Sequence, residues 1–208
     1  MKDEDVAQYL QSNPQFFDAY AAMLAEIAIP HPYGGRTISL SERQLLALRE
    51  KNRELEKKLL DMVQFTKDNT ALQNRVHAFT LTLFGASGFL DVQEIATRSL
   101  REMFDVPHVA LHVWKGLPPS ADVLAYTNAL AKPVCTHHPV PETLGWFGEA
   151  APLLRSFAYL PLREGNGETS LGLLVLGSED PERFYSDMGT VFLHRIAEAV
   201  SSALRPSL

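Results

Sequence analysis

The fold is decided by two apolar segments near the end of the chain, Ser156-Phe-Ala-Tyr-Leu-Pro-Leu162 and Ser170-Leu-Gly-Leu-Leu-Val-Leu-Gly177. Each is a short run of aliphatic and β-forming residues, which predicts a buried strand. The connection between them contains Asn166-Gly167, a dipeptide typical of tight hairpin turns. We therefore predict that the two strands form an antiparallel hairpin.

The segments around this hairpin predict an α+β domain in which helices flank an antiparallel sheet. A helix with one apolar face precedes the β-rich run His108–Trp114. Residues 122–127 are read as a further strand, which would form a hairpin with that run. Residues 128–155 are rich in proline and are expected to be irregular, and a final amphipathic helix is expected from about 186 to 204.

A long helix is predicted upstream, because residues 40–84 contain neither proline nor glycine. At ~1.5 Å per residue such a helix would be roughly 68 Å long, so its apolar side needs another helix as a partner. A heptad seam can be assigned to its first half; its a and d residues are Leu45, Leu48, Asn52, Leu55, Leu59 and Met62.

The polar residue in this seam favours a parallel homodimer in fixed register, since two Asn52 side chains can hydrogen-bond across a dimer axis. The flanking pair Lys51 and Glu56 is attractive in the same arrangement. After Met62 the apolar spacing shortens at Phe65, which indicates a stammer where the helix changes its packing partner. The alternative is an amphipathic helix that folds back on its own chain as a hairpin.

We divide the chain accordingly into an N-terminal helical segment (1–38), a long helix (39–71) and a C-terminal domain (72–208). Two adjacent phenylalanines, Phe16 and Phe17, cannot both face one helix seam. The N-terminal segment is therefore expected to pack on a partner surface, which makes a protein partner one interpretation.

Composition limits the function classes. Lys and Arg number 19 against 25 Asp and Glu, a formal net charge of −6. The charges along the long helix are also mixed in sign, so we expect no nucleic-acid partner. No apolar stretch approaches a membrane span, and the N-terminus is acidic where a signal peptide would be basic. With Cys135 as the one cysteine, we expect a cytoplasmic protein without disulfides.

Two sets of motifs resemble known families. Leu160-Pro-Leu, the glycine-bounded strand at 171–178 and Arg183-Phe184 before a helix resemble the end of GAF domains. A further set is similar to a bacterial family, domain-of-unknown-function family 484: Tyr9-Leu10, Asn13-Pro14, Phe16-Phe17, Ile29-Pro-His31, Gly35, Ser39-Leu40, Glu42-Arg-Gln44, Leu48-Arg49, Asn69, Asp187-Met-Gly-Thr190 and Phe192-Leu193. The resemblance covers essentially the whole chain and implies a GAF-like fold without an established activity.

A candidate ligand site is expected where residues 128–155 meet the free face of the sheet. Mostly apolar pockets with a few polar groups are typical of small-ligand sites. The candidate residues are Trp114, Tyr126, Cys135, Trp146, Phe147, Arg155 and Tyr159. The alternative is that the aromatic side chains only plug the sheet. No cofactor can be named, and His137-His138 beside Cys135 lack the spacing of a metal site.

Three functions remain open. The first is a non-enzymatic regulatory protein of GAF-like type, in which a small ligand acts through helical dimerisation. The second, implied by the resemblance to GAF-fold enzymes, is thiol-redox chemistry at Cys135, such as reduction of methionine sulfoxide. One thiol cannot close an intrachain disulfide, so this reaction would need an external thiol. The third is a scaffold that docks a protein partner through Phe16 and Phe17 without any ligand.

Overall fold

The computed structural model describes residues 2–29, 38–114, 119–163 and 170–205. It divides into two compact units, Met1–Thr66 and Lys67–Leu208. The predicted turn at Asn166-Gly167 lies outside the described residues.

The N-terminal unit opens with three short helices, α1 (Asp3–Ser12), α2 (Gln15–Ala19) and α3 (Ala21–Glu26). Two short antiparallel strands follow, β1 (Ala28–Ile29) and β2 (Ile38–Ser39). Tyr20 separates α2 from α3 with a non-helical backbone, φ −116° and ψ 29°. The helical stretch that follows Pro14 is therefore two short helices.

Helix α4 (Leu40–Phe84) is uninterrupted, as the absence of proline and glycine predicted. The helix ends before Gly85, whose backbone N–H donates to the carbonyl oxygen of Thr82 at 3.2 Å. Close to this end, Val76, Phe79 and Leu83 are buried in the core of the C-terminal unit. The last turns of α4 are thus part of that unit's core.

The C-terminal unit is an α+β structure, which confirms the predicted fold class. Its four strands form one antiparallel sheet in the order β3-β6-β5-β4. In chain order its elements are α5 (Phe89–Phe104), β3 (His108–Val113), α6 (Ala121–Ala129), β4 (Val134–Thr136), α7 (Pro141–Leu144), a 3₁₀ segment (Gly145–Leu153), β5 (Ser156–Arg163), β6 (Ser170–Ser178) and α8 (Val191–Leu204).

The predicted hairpin is the centre of this sheet. β5 and β6 pair antiparallel, with Tyr159 opposite Val175 and Leu160 opposite Leu174. On the other side of β6, Gly172 lies against β3. A Cβ atom at Gly172 would overlap the carbonyl oxygen of His112, so the close approach of the two strands requires a glycine here.

Residues 122–127 belong to α6, so the predicted strand and its hairpin with the 108–114 run are wrong. The buried residues Val123 and Thr127 are four apart, a spacing that places side chains on one face in a strand and in a helix alike. Ser120 favours the helix, because its hydroxyl oxygen accepts a hydrogen bond from the backbone N–H of Val123 at 3.3 Å. β3 pairs with β6 instead.

Two other expectations also need correction. The 128–155 segment contains regular structure, namely β4, α7 and the 3₁₀ segment. Helix α8 begins at Val191 rather than near 186. Within the described parts of the chain, no helix is both long and apolar enough to cross a membrane.

Two phenylalanines of α4 provide a matched test of this core. Phe79 is fully buried, whereas Phe84, five residues further on, is 74% exposed. We expect Phe79→Ala to lower the free energy of unfolding by about 3–5 kcal/mol, because it leaves a cavity. Phe84→Ala should change it by less than about 0.5 kcal/mol. Urea denaturation of both variants measures the difference, and equal losses would contradict the packing of α4 in the core.

Candidate functional site

Both faces of the sheet in the C-terminal unit are buried. Alternate residues of each strand point to opposite sides of the sheet, so each strand contributes side chains to both faces. Ala158 and Leu160 of β5 pack with helices α4, α5 and α8, on what we call the helical face. Phe157 and Tyr159 pack on the opposite side with α6, α7 and the 3₁₀ segment, on what we call the aromatic face. Most residues of the candidate ligand site predicted from the sequence fall on the aromatic face.

Tyr159 anchors the cover of the aromatic face. It is fully buried, and its hydroxyl oxygen accepts a hydrogen bond from the backbone N–H of Val140 at 2.9 Å. The Thr143 hydroxyl lies 3.0 Å from the same oxygen and donates to the carbonyl oxygen of Val140 at 2.7 Å. Burial raises the pKa of Tyr159 above its usual value, so the phenol stays protonated and can donate to Thr143.

Two aromatic residues of the 3₁₀ segment complete this cover. The Trp146 ring stacks on the His112 imidazole of β3, with ring centres 3.9 Å apart and planes at 14°. Phe147 packs against Phe157 at 6.4 Å between ring centres. Burial lowers the pKa of His112, which favours the neutral imidazole under the indole. Gly148 follows with a positive φ of 55°, a conformation that suits glycine.

A chain of hydrogen bonds closes one end of the aromatic face. The Trp114 Nε1–H donates to the Ser170 hydroxyl at 3.2 Å. That hydroxyl in turn donates to Oδ1 of Asn128 at 2.7 Å. The indole of Trp114 is thereby fixed with its polar atom satisfied.

Most of the predicted ligand-site residues are brought together. Five of them pack in the aromatic cluster, namely Trp114, Tyr126, Trp146, Phe147 and Tyr159. Arg155 does not join them: its side chain is exposed, and its backbone N–H donates to the carbonyl oxygen of Ser178 at 2.8 Å. Cys135 is also separate, since it lies opposite Ala158 in the register and packs on the helical face.

The environment of Cys135 disfavours its thiolate. The side chain is 4% exposed, and burial raises the pKa of the thiol from 9.0 to about 11. Nucleophilic attack and metal binding both require the thiolate. In the described residues, no group of three or more His, Cys, Asp or Glu side chains is arranged to hold a metal ion.

Sequence reasoning missed two residues that shape the aromatic face. Thr143 contacts the hydroxyl of Tyr159, and His112 stacks on Trp146. Neither residue carries a local signal, because each contact joins separate elements whose approach depends on the sheet.

A second candidate surface is the predicted seam of α4. Its leucine and methionine side chains are all between 47% and 65% exposed in the single chain; they are Leu45, Leu48, Leu55, Leu59 and Met62. Asn52 is exposed as well. Such a row of exposed apolar residues on one helix is typical of an interaction surface.

A third candidate surface is the aromatic group of the N-terminal unit. The rings of Phe16 and Tyr20 stack at 4.7 Å between centres, and Tyr9 meets Phe16 edge to face at 6.3 Å. Phe16 is half-buried by these neighbours, whereas Phe17 is 41% exposed. The two phenylalanines therefore face different directions, as the sequence indicated.

The similarity of this chain to known proteins extends over both units. A family model described as "Protein of unknown function, DUF484" matches residues 1–206. The chain is also similar to uncharacterized proteins called YigA from Shigella flexneri and from Escherichia coli (strain K12). Each is 24% identical over 209 residues, which covers 95% of this chain and 88% of the relative.

Removal of one oxygen should test the anchor at Tyr159. Tyr159→Phe leaves the Val140 N–H and the Thr143 hydroxyl without their buried partner, so we expect a loss of about 1–3 kcal/mol in the free energy of unfolding. Tyr185→Phe is the control, since Tyr185 is 44% exposed. Denaturant titration gives both values. A loss no larger than that of the control would show that the phenol does not hold this cover.

Thiol reactivity should follow the raised pKa of Cys135. The increase from 9.0 to about 11 lowers the thiolate fraction at pH 7.5 roughly 100-fold. We therefore expect alkylation by iodoacetamide to be at least that much slower in the native protein than in urea, and to accelerate as the pH rises toward 11. Mass spectrometry of the alkylated protein follows the rate. Fast labelling at pH 7.5 would contradict the burial of this thiol.

Proposed function

The chain belongs to the DUF484 family of proteins of unknown function, and we propose that it is a non-enzymatic regulatory protein, which acts as a parallel homodimer joined through α4. The proposal includes a small ligand at the aromatic face of a GAF-like C-terminal unit. It also assigns the protein to the cytoplasm, where the single free thiol would stay reduced.

The observation that carries the proposal is the contrast between two apolar rows on one helix. Val76 and Phe79 near the end of α4 are covered by their own unit. Leu55 and Leu59 in the seam are as apolar but are 54% and 61% exposed. Exposed apolar side chains at heptad spacing are stabilised when a second helix buries them, and a second copy of α4 supplies the matching seam.

Two polar features favour the parallel arrangement over the antiparallel one. In a parallel pair with fixed register, each Asn52 meets the other Asn52 at the dimer axis and can exchange side-chain hydrogen bonds. Lys51 of one copy would face Glu56 of the other, which adds an attraction at the rim. Both residues lie on an α4 surface whose charges are mixed and exposed.

The aromatic face supports the ligand part of the proposal. Trp146 and Phe147 are only partly buried, although they cover a core of fully buried residues. They belong to 3₁₀ turns, whose hydrogen-bond geometry is poorer than that of an α-helix. An opening of this cover would expose an apolar surface with the Tyr159 hydroxyl at its base, which has the chemistry of a small-ligand site.

The two alternatives have different support. The exposed aromatic side chains Phe17 and Tyr20 favour a scaffold role for the N-terminal unit, and that role does not require α4 to pair. Thiol-redox catalysis lacks a comparable observation, given the raised pKa of Cys135. An assay of methionine sulfoxide reduction with an external thiol tests it directly: activity that is lost in Cys135→Ser would overturn the non-enzymatic assignment.

Adjacent leucines of α4 give a matched test of the dimer. Leu59 occupies an a position of the seam, while Leu60 occupies the b position outside it. Their exposures are close, 61% and 69%. We expect the full chain to be a dimer and Leu59→Glu to shift it to a monomer, because two buried carboxylates would repel each other. Leu60→Glu should remain a dimer. Light scattering coupled to gel filtration measures the mass.

The direction of pairing can be tested in the same chain. In a Cys135→Ser background, Leu48→Cys places a thiol at a d position near one end of the seam. A parallel dimer brings the two thiols together, so mild oxidation should yield a covalent dimer. For the preceding test, a monomeric wild type would refute the seam. A dimer that survives Leu59→Glu but is lost in Leu60→Glu would refute it as well. A dimer that forms no disulfide at this position would refute the parallel arrangement.

A further inference from the structure

A cleft in the C-terminal unit lies between α8 and the segment that follows α6. Its volume is about 620 Å³, within the roughly 300–1,000 Å³ that small-molecule sites occupy. The end of β5 forms its floor with Pro161 and Arg163. None of the residues predicted from the sequence lines it, and it is separate from the aromatic cluster.

The charge of this cleft is opposite to that of the whole protein. Lys132, Arg163 and Arg205 line it, against one acidic residue, Glu198. The chain as a whole carries a formal net charge of −6. A concentration of positive charge in a concave part of an acidic protein attracts anions, because a cleft focuses the field of its lining groups.

One of these cations is already engaged within the protein. The Arg163 guanidinium donates from Nη2 to the carbonyl oxygens of Thr127, Asn128 and Leu130, at the end of α6. This arrangement adds a partner for the Asn128 and Leu130 carbonyl oxygens beyond the helix end, while the Thr127 carbonyl oxygen also accepts from the backbone N–H of Leu130 at 3.3 Å. Glu198 keeps its negative charge in the lining: its Oε1 lies 3.6 Å from Nε2 of His194 on the same helix, and the two form an ion pair only when the imidazole is protonated.

The other two cations are available. Lys132 and Arg205 are exposed, and within the described residues neither forms an ion pair. Asn128 adds neutral donors, because the Ser170 hydroxyl uses only its Oδ1 and leaves the amide N–H groups. The lining therefore offers donors and positive charge, which are the groups that hold carboxylates and phosphates.

We infer that this cleft binds a small organic anion, whose carboxylate or phosphate group is held by Lys132 and Arg205. The inference does not depend on pairing of α4, since every residue of the cleft belongs to the C-terminal unit. It is also independent of a ligand at the aromatic face.

The test uses the full chain and three probes: inorganic phosphate, citrate and adenosine monophosphate. Binding is measured by titration calorimetry at about 0.15 M salt. Salt at this concentration screens charges beyond roughly 8 Å, which limits attraction by distant parts of the protein. We expect saturable binding of at least one probe, weakened about tenfold or more by Lys132→Glu or Arg205→Glu. Arg101→Glu is the matched control, because it makes the same charge change at an exposed position on α5, outside the cleft.

Two outcomes would overturn the inference. No saturation by any probe up to about 10 mM would show that the cleft has no useful anion affinity. Equal weakening by Arg101→Glu would show that the overall charge, not the cleft, attracts the probe. The oligomeric mass of the same samples separates this result from the proposed dimer: an anion-binding monomer would refute the dimer alone, and a dimer without anion binding would refute the cleft site alone.

Discussion

Burial of the β5–β6 hairpin on both faces is the constraint on which the C-terminal unit depends. Leu160 and Leu174 point to one side of the sheet, Tyr159 and Val175 to the other, and all four are fully buried. A sheet that is apolar on both faces must be covered twice. The end of α4, with α5 and α8, covers the helical face, while α6, α7 and the 3₁₀ segment cover the aromatic face. The two covers differ in kind: long amphipathic helices on one side, short turns held by aromatic rings and the Tyr159 hydroxyl on the other.

Helix α4 carries two apolar rows that differ in burial. Its last turns contribute Phe79 to a core that exists within one chain. Its first turns present Leu55 and Leu59 to solvent, at a cost in hydrophobic free energy that only another surface can remove. The three-residue step from Met62 to Phe65 separates the rows, because it departs from the heptad spacing that the seam follows. In the proposed dimer, α4 would join the core of the C-terminal unit to the pairing seam.

Several polar groups of the C-terminal unit serve to fix its fold. The one thiol is buried with a raised pKa, and the hydrogen bonds of Tyr159, Thr143 and Trp114 are used to fix the fold. Lys132 and Arg205, both exposed, line the cleft beside α8. The proposed regulatory role rests on two surfaces, the apolar seam and the partly covered aromatic face, and the inferred anion site in the cleft is independent of both.

The sequence by itself determined the elements whose signals are local: the uninterrupted α4, the β5–β6 hairpin and the α+β class, because proline, glycine and apolar spacing act within a few turns or strands. That the seam residues pair with a second helix stays a prediction. The sequence also grouped five of the aromatic residues of the sheet face. It failed at residues 122–127, where Val123 and Thr127 fit either a helix or a strand and the Ser120 cap decided the outcome. Only the tertiary structure decided that Cys135 lies on the helical face, that His112 stacks on Trp146, and that Lys132 and Arg205 share a cleft. The physical reason is that strand register and helix docking set which distant side chains meet, and these depend on the packing of the whole unit.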